Sequence, residues 1–506
     1  MNRESASSQI GTLPFWTALV ALAAIALYLP SLGYGLIYDS LPQVLIDPFI
    51  HEPRHLWDVL TLRVMAMDVL DFNRPVNLAS LILDSLLWGK NPAGYHLTNL
   101  LLHGAAAALL FRWIQSLLGS IAPALVGALL FAAHPLQVET VVEVGYREDL
   151  LATVFVLAGL LAARRPSWGA RAATVACMTL AVASKESGVA GVAVLAVDAL
   201  FLTDRAGRKT KLGVVAAAAV ANAAFLAARF GLELQHSAIF TSKPPPIASH
   251  SGEMALIQCR IFAAEFRRVL WPTDLCVDYT GYSLRDLPLP PALAIVLLVV
   301  AVQAAGAWRI APPRRRAFLL GVALFWAGLA PVSNVMPMYR PMADRFLYLP
   351  LAGVAVMVAT GLDSLRGESR RLTSALAAVA VALLALTARK QAALWSDDLA
   401  FWKEMAQRNP TSQTCWLGLG FAQLEHGQPE EAEPPFTRAS ALNNHRDPKA
   451  LASLALCADL VGQPARAEWL LGQAVALDAR YAQPEALLAS LDFDAPQVLR
   501  LGAILK

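Results

Sequence analysis

The sequence predicts an all-α, polytopic membrane protein of roughly eleven spans, followed by a C-terminal helical-repeat domain. Three observations carry this. Of 506 residues, 57% are hydrophobic and only 16% charged, with a mean hydropathy of +0.50, too apolar for a soluble protein of this length. Apolar runs fit to cross a bilayer recur from Leu13 onward. After Arg389 those runs stop, and Trp, Ala, Gly and Pro recur at helical-repeat spacing. The net charge of +3 gives no case for nucleic acid, because the basic residues lie in short clusters between apolar runs, where a topology signal puts them.

In chain order, the run from Leu13 to Leu32 follows one Arg and one Glu and shows no small-residue cleavage site, so it reads as a retained first helix. Further runs fall near residues 94–117, 120–133, 148–163, 168–184, 187–203, 212–229, 289–308, 317–333, 346–362 and 372–388. Several are shorter than the usual ~20 residues of a span. The run Pro75–Trp88 is short and carries Asn77, Asp84 and a terminal Trp, which suits an interfacial helix better than a span. Between Lys243 and Leu287, beside Pro244–Pro246, residues 254–270 have the pattern of one more helix, interfacial or spanning.

Basic clusters set the orientation. Arg112; Arg164 and Arg165; Arg205, Arg208, Lys209 and Lys211; Arg309 and Arg314–Arg316; and Arg366, Arg370 and Arg371 all fall on one side if the N-terminus is cytoplasmic. Spanning at 76–88 would reverse every later loop and break that agreement. The far side then holds the loop 33–75, the segment 134–147, the turn Ser184–Glu186, the stretch 231–287, the loop 334–345 and everything after 389. The five cysteines show no metal-ligand spacing. Cys259 and Cys276 both fall outside, which leaves a bridge between them open.

Beyond Arg389, Trp416, Leu419, Gly420, Gly427, Ala432, Phe436 and Ala439 follow a tetratricopeptide pattern, with small residues where two helices cross. Leu451, Leu454, Ala455, Gly462, Ala467, Leu471 and Ala474 repeat it, and Trp395–Pro410 reads as a leading half-repeat. So few repeats do not make an independent solenoid. The expected division is a membrane domain over 1–388, with 33–75 as its first outer loop, and a repeat domain over 389–506.

The first outer loop opens with Tyr38-Asp39-Ser40 and closes with Asn73-Arg74-Pro75. An ionisable carboxylate where a membrane helix meets water is a functional candidate by default, and Asp39 is taken as a catalytic base. At the outer ends of the other runs lie Arg74, His96, Asn99, His103, His134, Glu139, Arg147, Glu148, Asp149, Lys185, Glu186, Arg229, Asp344 and Arg345. Singly, each reads as a helix-end partner. Together they call for either a buried ion-pair network or a charged substrate.

The ordered motifs Tyr38-Asp39, Asn73-Arg74-Pro75, Asn91-Pro92 through Asn99 with His103, His134-Pro135 with Glu139, Gly145-Tyr146-Arg147-Glu148-Asp149, Ser184-Lys185-Glu186, Trp271-Pro272 with Asp278-Tyr279, Pro331–Asn334 and Ala343-Asp344-Arg345 through Pro350 resemble the transmembrane and tetratricopeptide-repeat O-mannosyltransferases, membrane glycosyltransferases of the GT-C fold. The resemblance covers nearly the whole chain. It implies a first-loop acid acting on a sugar delivered by a polyprenyl phosphate, such as dolichyl phosphate mannose, and inversion of the anomeric carbon. No nucleotide sugar is implied, and no Gly-rich phosphate loop occurs in the sequence. Ser40 stands where the family usually carries a second acid, which argues against a metal bridged by paired carboxylates; no metal or other cofactor is expected.

A Ser or Thr hydroxyl attacks well only if a base takes its proton as the C1–oxygen bond forms, the role given to Asp39. The leaving lipid phosphate needs cations rather than a proton. Arg345 is the first choice, with Arg147 and Lys185 second. Arg74, His103, His134, Glu139, Asp149 and Glu186 are expected to orient those cations or the sugar. The acceptor is expected to be a protein or peptide, held by the repeat domain; a lipid or cell-wall glycan acceptor and a non-enzymatic transporter or scaffold are the competing readings. The composition suits a bacterial inner membrane with the repeats in the periplasm, and the same topology would place them in the lumen of a eukaryotic endoplasmic reticulum.

Overall fold

The computed structural model describes residues 3–67, 69–236, 251–280, 288–335, 338, 340–483 and 495–505; the Pro244–Pro246 run lies outside these. The chain forms two compact units. One comprises Met1–Tyr34, Phe49–Thr273 and Leu284–Ala393, the other Gly35–Pro48, Asp274–Ser283 and Leu394–Lys506. The stretch of the first loop that carries Asp39 therefore belongs to the second unit.

The first unit contains α1 (Arg3–Tyr28), α2 (His55–Leu60), α3 (Pro75–Trp88), α4 (Pro92–Leu118), α5 (Ile121–Ala133), α6 (Val138–Val142), α7 (Arg147–Ala162), α8 (Trp168–Ser184), α9 (Val189–Phe201), α10 (Arg205–His236), α11 (Ser251–Leu270), α12 (Leu289–Arg309), α13 (Pro312–Leu329), α14 (Tyr348–Ser364) and α15 (Gly367–Ala393). Helices occupy every apolar run, and no strand occurs among the described residues. Seven of the described helices are long and apolar enough to cross a membrane, or eight if α5 and the helical stretch Pro135–Val142, bent by 52°, form one broken span. This is an integral membrane protein. The 13 residues of α9 reach only about 20 Å at 1.5 Å per residue, short of a ~30 Å hydrocarbon core. Residues 254–270 are indeed helical, within α11, but Glu253, Arg260, Glu265, Arg267 and Arg268 make that helix amphipathic rather than uniformly apolar.

Local chemistry sets the helix ends. Asn91 caps α4 by accepting from the Ala93 amide at 3.2 Å, Pro92 fills the first helical position, and Gly119 ends the helix at φ +68°, a left-handed turn that suits a residue without a Cβ. At the centre of the unit, α14 packs against α13 and α5 through small residues. A Cβ on Gly353 would lie 2.6 Å from the Gly321 carbonyl oxygen, and one on Gly127 would lie 2.8 Å from that of Ala355. Such close backbone approach is how membrane helices gain dispersion contact where lipid offers no hydrophobic drive.

The second unit holds α16 (Asp398–Arg408), α17 (Gln413–Glu425), α18 (Pro429–Leu442), α19 (Pro448–Leu460), α20 (Pro464–Leu477) and α21 (Ala495–Ile504). Two helical hairpins, α17–α18 and α19–α20, turn at Gly427 (φ +71°) and Gly462 (φ +76°). Gly420 sits against the Phe436 ring, where a Cβ would come within 2.5 Å, and Ala432, Phe436 and Ala439 are wholly buried. The segment 274–280 is tied in by Asp278: its Oδ2 accepts from Ser412 Oγ at 2.6 Å and its carbonyl from Asn409 Nδ2 at 2.7 Å. Cys276 lies beside Cys415, sulfur to sulfur 4.0 Å. The bridge left open between Cys259 and Cys276 is not made, since both thiols are free and the two residues fall in different units.

Candidate active site

In the first unit, the loop before α3, the start of α7, the turn after α8 and the far end of α10 bring ionisable side chains together. Arg74 Nη1 donates to Asp71 Oδ1 and to Glu148 Oε1, both at 3.1 Å, and its Nη2 lies 3.8 Å from Glu186. Lys185 Nζ donates to Asp149 Oδ2 at 2.5 Å and lies 3.5 Å from Glu148. Arg229 pairs with Glu186. Four carboxylates thus share three cations. The residues forming it are set by helix geometry: Arg147-Glu148-Asp149 opens α7, so successive side chains fan out by about 100° each and reach different neighbours.

The charges act on one another. Burial pushes the Glu186 carboxyl up, but Arg74 and Arg229 outweigh it and bring it down to about 2. Burial pulls against the Arg74 guanidinium, yet Asp71, Glu148 and Glu186 hold it above its usual value.

Arg345 precedes α14 and is embraced by Glu139 of α6. The Arg345 amide donates to Glu139 Oε2 at 2.9 Å and Nη1 to Oε1 at 2.7 Å. Its guanidinium lies over the Tyr146 ring, 3.9 Å from the centroid. Phe346 links this pair to the network, with Arg345 5.3 Å and Lys185 5.8 Å from its ring centre. The two cations therefore lie near one aromatic ring, each with a carboxylate partner.

The other expected residues sit differently. Arg147 is fully buried; its guanidinium pairs with Asp84 at 2.6 Å and donates to Asn99 Oδ1 at 2.7 Å and to the Tyr95 carbonyl at 3.0 Å. It joins α3, α4 and α7, and its donors face protein acceptors. His103 is also sealed in, with Nε2 3.2 Å from the Ala132 carbonyl and Nδ1 2.8 Å from the Tyr348 hydroxyl. That pairing makes Nε2 the donor and Nδ1 the acceptor of a neutral ring. His134 donates from Nε2 to the Val269 carbonyl at 3.0 Å and accepts the Leu136 amide at 3.3 Å. Among the described residues, no three His, Cys, Asp or Glu gather as metal ligands.

In the second unit, Asp39 is partly exposed and follows Tyr38, whose φ of +64° is uncommon for a bulky residue and is held here by edge-on packing of its ring on Trp402 at 5.3 Å. Ser40 is buried and donates its hydroxyl to the Ile37 carbonyl at 2.9 Å, so it faces the backbone.

Sequence reading gave no site role to Asp71, Asp84 or Glu265, and placed Glu148 only in the general set of outer-end ionisable residues. The spacing Asp71–Arg74 is a local signal for a pair; Asp84 and Glu148 gain their partners only through tertiary packing. Glu265 lies on the buried face of α11 near Arg268 and Asp344. Burial pushes its carboxyl up to about 8, Asp344 adding to the shift and Arg268 opposing it.

No protein-family model matches the chain. It is 23% identical over 446 residues to the protein O-mannosyl-transferase F38B6.6 of Caenorhabditis elegans, covering 84% of this chain and 62% of that one. It is 22% identical over 469 residues to the protein O-mannosyl-transferase TMTC3 of Mus musculus, covering 84% and 50%. A shorter stretch of 175 residues, 33% of this chain and 20% of the relative, is 31% identical to the protein O-mannosyl-transferase Tmtc1 of Drosophila melanogaster. The chain thus spans less than two thirds of the length of these relatives. Among solved structures, apo ArnT from Cupriavidus metallidurans covers 91% of this chain and 80% of its own at 15% identity, with a TM-score of 0.45. Along most of its length, the chain is similar to proteins named protein O-mannosyl-transferase, the family its ordered motifs resemble.

Proposed function

We propose that this protein is a membrane glycosyltransferase of GT-C type that moves a hexose, mannose in the first instance, from a polyprenyl-phosphate donor to Ser or Thr hydroxyls of a protein acceptor. The observation that carries this reading is the similarity over 84% of the chain to proteins named protein O-mannosyl-transferase. In the step proposed, the acceptor oxygen forms its bond to C1 while the C1–O bond to phosphate breaks on the opposite face, which inverts the anomeric carbon. Asp39 takes the hydroxyl proton, and the polyprenyl phosphate leaves with the electron pair.

Arg345 is the cation for the departing phosphate, its fork suited to two oxygens, with Lys185 across Phe346 adding a second positive charge. Phosphate oxygens compete with Glu139 for the fork and with Asp149 for the ammonium. Arg74, Asp149 and Glu186 hold the cations in register, while Arg147, His103 and His134 support this arrangement from within the helix packing. The hairpins of the second unit are read as tetratricopeptide repeats on the non-cytoplasmic side that hold the extended acceptor.

The test is transfer by purified full-length protein from a polyprenyl-phosphate mannose to a Ser/Thr peptide, read by mass spectrometry. Asp39→Asn is expected to lower turnover by about 10² to 10⁴ at unchanged folding, the range for general-base catalysis. Transfer to glycan or lipid but to no peptide would overturn the acceptor assignment, and near-normal turnover of the variant would remove Asp39 as the base.

A further inference from the structure

At the opposite end of α7 and α8 from the ion network, a cavity of about 300 Å³ opens among α7, α8, α9 and α10. The 16 residues of α7 separate the two sites by about 24 Å along the helix. Four cations line this cavity, Arg164, Arg165, Arg171 and Lys211, against a single carboxylate, Asp198. That carboxylate is already taken up: Lys211 Nζ lies 2.5 Å from it, and Arg316 donates to both of its oxygens at 2.8 and 2.9 Å. Arg164 donates to the Ser116 carbonyl, and no carboxylate pairs with Arg164, Arg165 or Arg171 among the described residues. The deeper wall is apolar, formed by Leu195, Val214 and Val215. Trp168 at the start of α8 is 80% exposed and Phe201 at the end of α9 is 76% exposed; an exposed Trp at a helix end marks the level of the membrane–water interface.

Unbalanced positive charge at the rim, an apolar wall beneath it and aromatic markers beside it describe an amphiphile with an anionic head. An inorganic ion would have no use for the apolar wall, and a neutral lipid none for three unmatched guanidiniums. We propose that this cavity binds the phosphodiester headgroup of an anionic phospholipid from the leaflet bordering the basic loops, with the upper acyl chain against Leu195, Val214 and Val215. The site stands apart from the proposed transferase chemistry, at the other end of the same helices, and does not depend on it.

The test uses the full chain reconstituted in nanodiscs of mixed phosphatidylglycerol and phosphatidylcholine, with co-purifying lipid measured after extraction and transfer to detergent. The expected result is retention of phosphatidylglycerol at least tenfold over phosphatidylcholine. Arg165→Ala/Arg171→Ala should remove that preference, and Arg165→Lys/Arg171→Lys should keep most of it. Inorganic phosphate at millimolar concentration should displace little. Equal retention of the two lipids, a preference unchanged in the alanine variant, or displacement by phosphate as complete as by added phosphatidylglycerol would overturn the proposal. Circular dichroism and gel filtration of each variant separate lost binding from lost fold.

Discussion

The two ends of α7 and α8 solve the problem of charge in a membrane protein in different ways. At one end, Arg74, Lys185 and Arg229 are matched to Asp71, Glu148, Asp149 and Glu186, largely out of water. At the other, Arg164 and Arg165 are exposed and outnumber the carboxylate available to them. In the first arrangement each charge is stable only because its partner is present, so loss of one strands the other. In the second, water screens each cation and none depends on a neighbour.

This contrast is most easily broken at its extreme. Arg147→Met should lower stability by about 3 to 5 kcal/mol, because Asp84 would be left buried with its countercharge gone. Thermal unfolding in detergent checks this, and Asp84→Asn combined with Arg147→Met should recover part of the loss. A midpoint unmoved by the single change would mean that the buried end is no more interdependent than the open one.

Next comes Arg345. A charge-assisted hydrogen bond contributes roughly 1.5 to 3 kcal/mol, so Arg345→Ala should cut kcat/KM by about ten- to a hundredfold, with Arg345→Lys between. Since Glu139 would also lose its partner, the assay compares variants at equal folded concentration and titrates the donor lipid. Unchanged donor affinity with a lowered melting point would reduce Arg345 to a structural role.

Glu265 sharpens the comparison through pH. Its carboxyl is raised from 4.5 to about 8 in the fold, so between those values the unfolded chain releases a proton that the folded chain keeps. Stability from this group is therefore full below about pH 4.5 and falls as pH rises toward 8. Glu265→Gln should match the parent near pH 5 and melt higher than it near pH 8; a gap of the opposite sign would place the ionised form in the fold. The smallest effect belongs to the open end, where Arg165→Ala should shift stability by no more than about 0.5 kcal/mol.

Much of the helical frame was legible because apolar runs and basic clusters are local signals. The run at Pro75–Trp88 could be seen to be short and partly polar, and it forms α3, a helix of 14 residues. Arg74, Glu139, Asp149, Lys185, Glu186 and Arg345 could be picked out as outer-end ionisable residues, but their partners could not. Arg74 reaches Glu148 across 74 positions and Arg345 reaches Glu139 across 206, separations over which no periodicity reports. The same limit hid the grouping of 35–48 with the C-terminal helical hairpins, since continuity along the chain suggests that a loop belongs to the helices it joins.

Gly353 has a mechanical consequence for the residue eight positions before it. Because its backbone lies against that of Gly321, with no space for even one methyl group, any larger residue there would force α13 and α14 apart. Arg345, just before α14, is positioned by the same packing, and its guanidinium is held by Glu139 and the Tyr146 ring. In the proposed transfer, a lipid-borne sugar is brought to the head of this close-packed pair, and peripheral elements such as α12, whose core-facing contact is slight, are where an opening would form.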